Sequence, residues 1–226
     1  MAILTGCSKK PPAPKVDTEA IKKLRETMSM GNYSESIKLA REITSQVPPN
    51  SNAGEGLYLL GYLLAYYKVD FQAARLPLKQ LLDLYPTGTQ AADAQKLLAD
   101  CQYWQGHYQS AGREYKKLLS SFGDRGYYSY AQYQQGNCLL LDDKVGDAIT
   151  VFRDLVEKSP NDPLAGSAQL IIANSFLKLQ NINKAKTELR KLISFTKDQD
   201  LQQTAQKALR QIEGEENEPK KAGNQE

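Results

Sequence analysis

Histidine is almost missing from this chain of 226 residues, with His107 standing alone. That excludes a histidine-rich metal site and leaves any histidine-based catalysis resting on one side chain. Cysteine is sparse: there are three, none in a Cys-x-x-Cys pair, so neither a metal signature nor a disulfide-stapled fold is present. No apolar run approaches the roughly 20 residues a membrane-spanning helix needs. Neither sign of charge dominates. Lys and Arg number 29 against 26 Asp and Glu, and the net charge of +3 is too balanced to point to nucleic acid. No serine nucleophile elbow, phosphate-cradling glycine loop or paired-carboxylate signature occurs. The chain reads as non-catalytic, with no cofactor, no metal and no small-molecule substrate. What is there is an ordinary composition, 41% hydrophobic and 24% charged, long enough to bury a substantial core.

The sequence repeats itself. Gly31-Asn32-Tyr33-Ser34-Glu35-Ser36 is echoed by segments beginning at Val69, Gly106, Asp143 and Gln180, in steps of 38, 37, 37 and 37 residues. The third place is apolar or aromatic (Tyr33, Phe71, Tyr108, Val145, Ile182) and the sixth is small (Ser36, Ala74, Ala111, Ala148, Ala185). Packing explains the pattern. A turn-forming start joins two helices, the small residue lets them approach closely, and the third residue fills the angle between them. Units close near Pro48, Pro86, Gly123 or Pro160, since proline cannot continue a helical ladder. The first helix of each pair is expected in Leu57–Lys68, Ala91–Trp104, Tyr130–Leu141 and Leu164–Lys178, carrying Gly61, Ala99, Gly136 and Ala173 as small positions. Gly61 lies 12 residues before Ala73 rather than Ala74, which predicts a one-residue register shift in that repeat. Pro77 stands inside Phe71–Tyr85 and is expected to kink or break that helix.

Five such units in phase resemble the tetratricopeptide repeat, with a period a few residues longer than its usual 34. The resemblance implies an all-α fold: a right-handed α-solenoid of about five helical hairpins and some eleven helices. The expected organisation is a tether over 1–16, the solenoid over 17–213 closed by a capping helix from about Asp200 to Ile212, and a solvated charged tail over 214–226. It also allows one function to be weighed. Gly136-Asn137 and Ala173-Asn174 resemble part of the clamp with which some of these repeats hold a chaperone's terminal carboxylate. Tyr133 replaces the clamp's lysine, however, and the next helix has no Lys/Arg pair, so the clamp is expected to be absent.

Leu4-Thr5-Gly6-Cys7 resembles a bacterial lipobox, an aliphatic residue and two small ones before the cysteine that is lipidated. Lys9-Lys10-Pro11-Pro12-Ala13-Pro14 follows as an extended tether. Only Met1 to Ile3 precede the pattern, so this reading expects a basic, then apolar, leader upstream of Leu4. Without one, Cys7 is a free thiol and the chain a soluble cytoplasmic adaptor. Together with Leu84-Tyr85-Pro86 and Thr87–Ala94, the lipobox and tether resemble the BamD-like outer-membrane assembly lipoproteins and the related cell-division coordinators. That resemblance implies an envelope scaffold facing the periplasm, lipid-anchored through Cys7, whose partners are other envelope proteins of outer-membrane protein insertion, division or pilus secretin assembly. Ser8 would sort it to the outer membrane.

Tyrosine is abundant at 13, against one Trp and five Phe. Tyr58, Tyr62 and Tyr66 fall at four-residue spacing on one helical stripe. With Tyr103, Trp104, Tyr130, Tyr133, Asn137 and Asn174 they are the candidate lining of a groove on the first helices that holds an extended peptide or a partner's helix. The competing reading is that the rings pack between helices. Cys101 and Cys138, 37 residues apart, read as small buried residues of the repeat rather than as a redox pair, and His107 as a turn residue.

Overall fold

The computed structural model describes residues 18–45 and 51–217, so Cys7, the Pro/Lys segment and Pro48 lie outside them. Among the described residues there are eleven α-helices, one short 3-10 turn and no strand. The helices are α1 (Thr18–Ser29), α2 (Tyr33–Ser45), α3 (Ser51–Tyr66), α4 (Phe71–Leu84), α5 (Ala91–Trp104), α6 (Tyr108–Phe122), α7 (Tyr128–Leu141), α8 (Val145–Lys158), α9 (Pro163–Lys178), α10 (Ile182–Phe195) and α11 (Gln199–Asn217). The third place of every repeat is the first residue of its second helix. The expected first helices are α3, α5, α7 and α9. The capping helix runs five residues beyond Ile212, into the segment expected to be a solvated tail. Pro77 does not end α4. The helix continues to Leu84 around the buried proline, although its ring nitrogen cannot donate to the carbonyl of Ala73.

The chain divides between Gln105 and Gly106 into two compact units. In the first, α1 to α5 pack each on the next, and α3 also touches α1 and α5. In the second, α6 to α11 do the same, and α9 also touches α7 and α11. Odd-numbered helices thus have neighbours on more than one side. The sequence shows it: α9 buries Ala165, Ala168, Ile172, Ala173 and Phe176 around much of its girth, whereas α8 buries one stripe, Val145, Ala148, Ile149, Phe152 and Leu155.

The first residue of every repeat has a left-handed backbone: Gly31 (φ 75°), Val69 (53°), Gly106 (75°), Asp143 (58°) and Gln180 (55°). This reverses the chain after the first helix and returns amides to its open carbonyls. Asn32, Lys144 and Asn181 donate to carbonyls five residues back, at 3.0, 2.8 and 2.8 Å. Asp70 donates to Leu64, six residues back, at 2.9 Å. The expected register shift is therefore real and sits in the turn, where 67–70 joins α3 to α4 with one residue more than 30–32, 142–144 or 179–181. Asp70 and Asn181 then cap the second helices, accepting from the amides of Ala73 (2.9 Å) and Lys184 (3.2 Å).

Close approach follows. Ser36, Ala74, Ala111, Ala148 and Ala185 are all fully buried. Facing the small residues of the first helices are large ones. A Cβ added at Gly136 would lie 2.5 Å from Cζ of Phe152, and one at Gly61 2.6 Å from Cδ2 of Leu78. Leu78, Tyr115, Phe152 and Leu189 hold the same place in successive repeats and are all fully buried.

A polar device runs through this packing. Gln95, Gln132 and Gln169 recur 37 apart and are buried. The Gln132 amide donates to Asp154 at 2.6 Å, beside the Tyr128 hydroxyl, which donates to the same oxygen at 2.6 Å. The Gln169 amide donates to Glu188 at 2.7 Å. Lys158 (2.8 Å) and Lys191 (3.1 Å) balance the two carboxylates.

Two outcomes are expected in urea denaturation. Gly136→Ala should destabilise by about 1–3 kcal/mol through collision with Phe152, whereas Gly146→Ala, exposed in α8 with nothing within 4 Å, should be neutral or stabilise. Val69→Gly should raise stability by about 1 kcal/mol, because a β-branched residue with φ 53° is strained and its side chain is 63% exposed.

Candidate functional site

In the first unit the tyrosine stripe of α3 forms as its spacing requires. Ring centroids of Tyr58 and Tyr62 are 6.3 Å apart, and those of Tyr62 and Tyr66 4.7 Å. Tyr66 then meets Trp104, at the end of α5, edge-on at 5.5 Å, and Trp104 lies 5.2 Å from Phe71, the first residue of α4. In the other direction Tyr62 meets Tyr67 at 6.1 Å, and Tyr67 stacks on Tyr33, the first residue of α2, at 3.5 Å. The rings make one continuous strip. Its outer part is open: Tyr66, Tyr67 and Trp104 are 44%, 41% and 42% exposed.

Tyr33, Tyr67 and Phe71 were not among the residues expected to line the groove. Tyr33 and Phe71 have the third-place role of filling a turn angle, which conceals a second role as surface rings. Tyr67 carries a readable signal, since it lies 37 residues before Trp104; it directly follows α3, while Trp104 is the last residue of α5. Leu141, a further 37 on, is likewise exposed.

The phenols of Tyr58 and Tyr66 stay protonated at neutral pH. Burial, helped by the Asp93 carboxylate, pushes Tyr58 up to about 12, and burial raises Tyr66 as well. Each ring therefore offers an apolar face and a hydroxyl able to donate or accept. Lys96 holds the buried Asp100 carboxylate at 2.7 Å on α5, so the cation near the strip is already paired.

The remaining expected residues are placed differently. Tyr103 is half-buried on α5. In the second unit Tyr130 packs edge-on against Tyr115 at 6.1 Å, and Tyr133 against Phe152 at 5.7 Å with its hydroxyl pKa raised by burial. These two rings serve the packing of their own unit. Asn137 donates to Gln134 on its own helix at 3.1 Å, and Asn174 is exposed on α9. The strip in the first unit thus brings together Tyr58, Tyr62, Tyr66 and Trp104; Tyr103 lies in the same unit, and Tyr130, Tyr133, Asn137 and Asn174 belong to the second unit.

Cys101 and Cys138 are buried free thiols, each pushed up to about 12 by burial and so held as unreactive thiols. His107 precedes α6 as an exposed turn residue. Among the described residues no group of three or more His, Cys, Asp or Glu could hold a metal ion, and no helix is long and apolar enough to cross a membrane.

Comparison with known proteins extends this picture. Residues 130–225 match the family model of a tetratricopeptide repeat-like domain. No curated protein matches the chain by sequence. Among solved structures, MamA from Desulfovibrio magneticus RS-1 is similar with a TM-score of 0.63 at 15% identity, over 80% of this chain and 97% of that one. YrrB, described as a tetratricopeptide-repeat protein with an unusual peptide-binding site, gives 0.63 at 17% identity, over 84% and 91%. The apo form of RapI gives 0.66 at 15% identity, over 82% of this chain and 56% of that one. Residues 130–225 are thus similar to a tetratricopeptide repeat-like domain, and the fold of these solved structures is shared over about four-fifths of the chain.

Proposed function

We propose that this protein is a non-catalytic scaffold that binds other proteins through the aromatic strip of its first unit. The observation that carries the reading is the continuity of the rings from Tyr58 to Trp104 and Tyr33, with three of them more than 40% exposed. Rings held against one another lose little freedom on binding, so they suit a partner's extended peptide or helix. The peptide-binding site named for YrrB is consistent with a fold that presents such surfaces.

The finer reading places the scaffold in the bacterial envelope, anchored through lipid on Cys7 at the periplasmic face of the outer membrane and acting as a BamD-like assembly factor. It is supported by Leu4-Thr5-Gly6-Cys7 and by the Pro/Lys segment that follows.

Crosslinking in native cells with a C-terminal tag, followed by mass spectrometry, tests both levels. A β-barrel assembly component should dominate the captured material. Tyr66→Ala with Trp104→Ala should lower its capture by at least about tenfold, as expected for two aromatic anchors, without loss of helicity. Cys7→Ala should release the protein from the membrane fraction. Dominance of a pilus secretin or division protein would leave the scaffold standing and overturn the BamD-like assignment. Capture of cytosolic proteins alone would overturn the lipid anchor. Unchanged capture by the aromatic variant would overturn the strip as the binding surface.

A further inference from the structure

The first unit has a second concave feature. A cleft of about 590 Å³ opens between α2 and the turn joining α3 to α4. Its floor is apolar, made by Ile37 and Leu64, which are 6% and 5% exposed. Lys38 and Arg41 of α2 and Lys68 of the turn stand around it, all three exposed. None of them makes an ion pair with a described residue.

The place of Arg41 is basic in every unit, recurring as Lys79, Lys116, Arg153 and Arg190. In the last two the charge is answered within the fold, by Glu188 at 3.7 Å and Glu213 at 2.8 Å. At Arg41, as at Lys79 and Lys116, no described carboxylate answers it. Two carboxylates, Glu42 and Asp70, also line the cleft, but Asp70 is engaged with the Ala73 amide at 2.9 Å. Three cations are therefore left with one unengaged carboxylate over an apolar floor.

We propose that this cleft docks an acidic linear segment of a partner protein. Carboxylates of the segment meet Lys38, Arg41 and Lys68, and one apolar side chain rests on Ile37 and Leu64. The inference deepens the scaffold reading by naming the partner's chemistry, at a surface separate from the Tyr58–Tyr66 stripe. Exposed charges give orientation and salt sensitivity, and the apolar floor gives the lasting contact.

The test is fluorescence anisotropy of the full chain with a fluorescein-labelled peptide of Asp and Glu around a central Leu. Binding should weaken with added salt and fall by roughly tenfold or more in the Arg41→Glu/Lys68→Glu variant. Far-UV circular dichroism checks its fold, and Lys38→Ala serves as a milder second variant. Tyr66→Ala/Trp104→Ala should bind the peptide like the parent, so a failure of the aromatic strip and a failure of the cleft are told apart. Three results would overturn the proposal: equal binding of a Lys/Arg peptide of the same length, unchanged affinity in both cleft variants, or displacement of the peptide by inorganic phosphate at equal concentration, which would mark a simple anion site.

Discussion

Everything in this structure depends on how closely two helices of a hairpin can approach. At Gly136 the absence of a side chain leaves the Phe152 ring the space a methyl group would take. The fully buried Ala148 on the facing helix keeps the same hairpin tight. Such contact returns dispersion and excludes water along the whole helix pair. It is the reason that short helices, marginal on their own, hold a fixed arrangement and present rings at fixed spacings. The left-handed turn residue is the other half of the constraint, because it sets the angle at which the second helix begins.

Most of this architecture was legible in the sequence, and legible for physical reasons. A residue that must be small, such as Ala148, or that must end a helix, such as Pro160, tolerates few alternatives, so it recurs at the period. The turn start was harder. Glycine at 31 and 106 announces a positive φ, whereas Val69 conceals one, because the tertiary contacts on both sides impose a backbone its side chain resists. At Pro77 the expected break does not occur, since burial between packed helices holds a segment helical where an isolated one would end.

The candidate site was legible only in part. The α3 stripe followed from four-residue spacing within one helix. The junction of Tyr66 with Trp104, and of Tyr67 with Tyr33, depends on which helices become neighbours, and no local pattern states that. Tyr130 and Tyr133 show the converse. They share residue type and helix position with the stripe, yet Tyr115 and Phe152 claim their faces for packing. The amides of Gln132 and Gln169 escaped notice because a polar residue inside a helix reads as surface until its burial is seen.

Those amides also bear on how the chain finds its own order. Repeats that look alike could pair with the wrong neighbour, and their shared apolar faces would hardly object. The buried amides do object. Gln132 finds its carboxylate 22 residues on, at Asp154, while Gln169 finds Glu188 after 19, one helical turn nearer. A hairpin assembled from mismatched halves would strand a buried amide, at about 1–3 kcal/mol, and at Glu188 a buried carboxylate at greater cost. Identity among near-identical neighbours is thus carried by the height at which an acid stands on its helix, and a chain of copies becomes a sequence of distinguishable addresses.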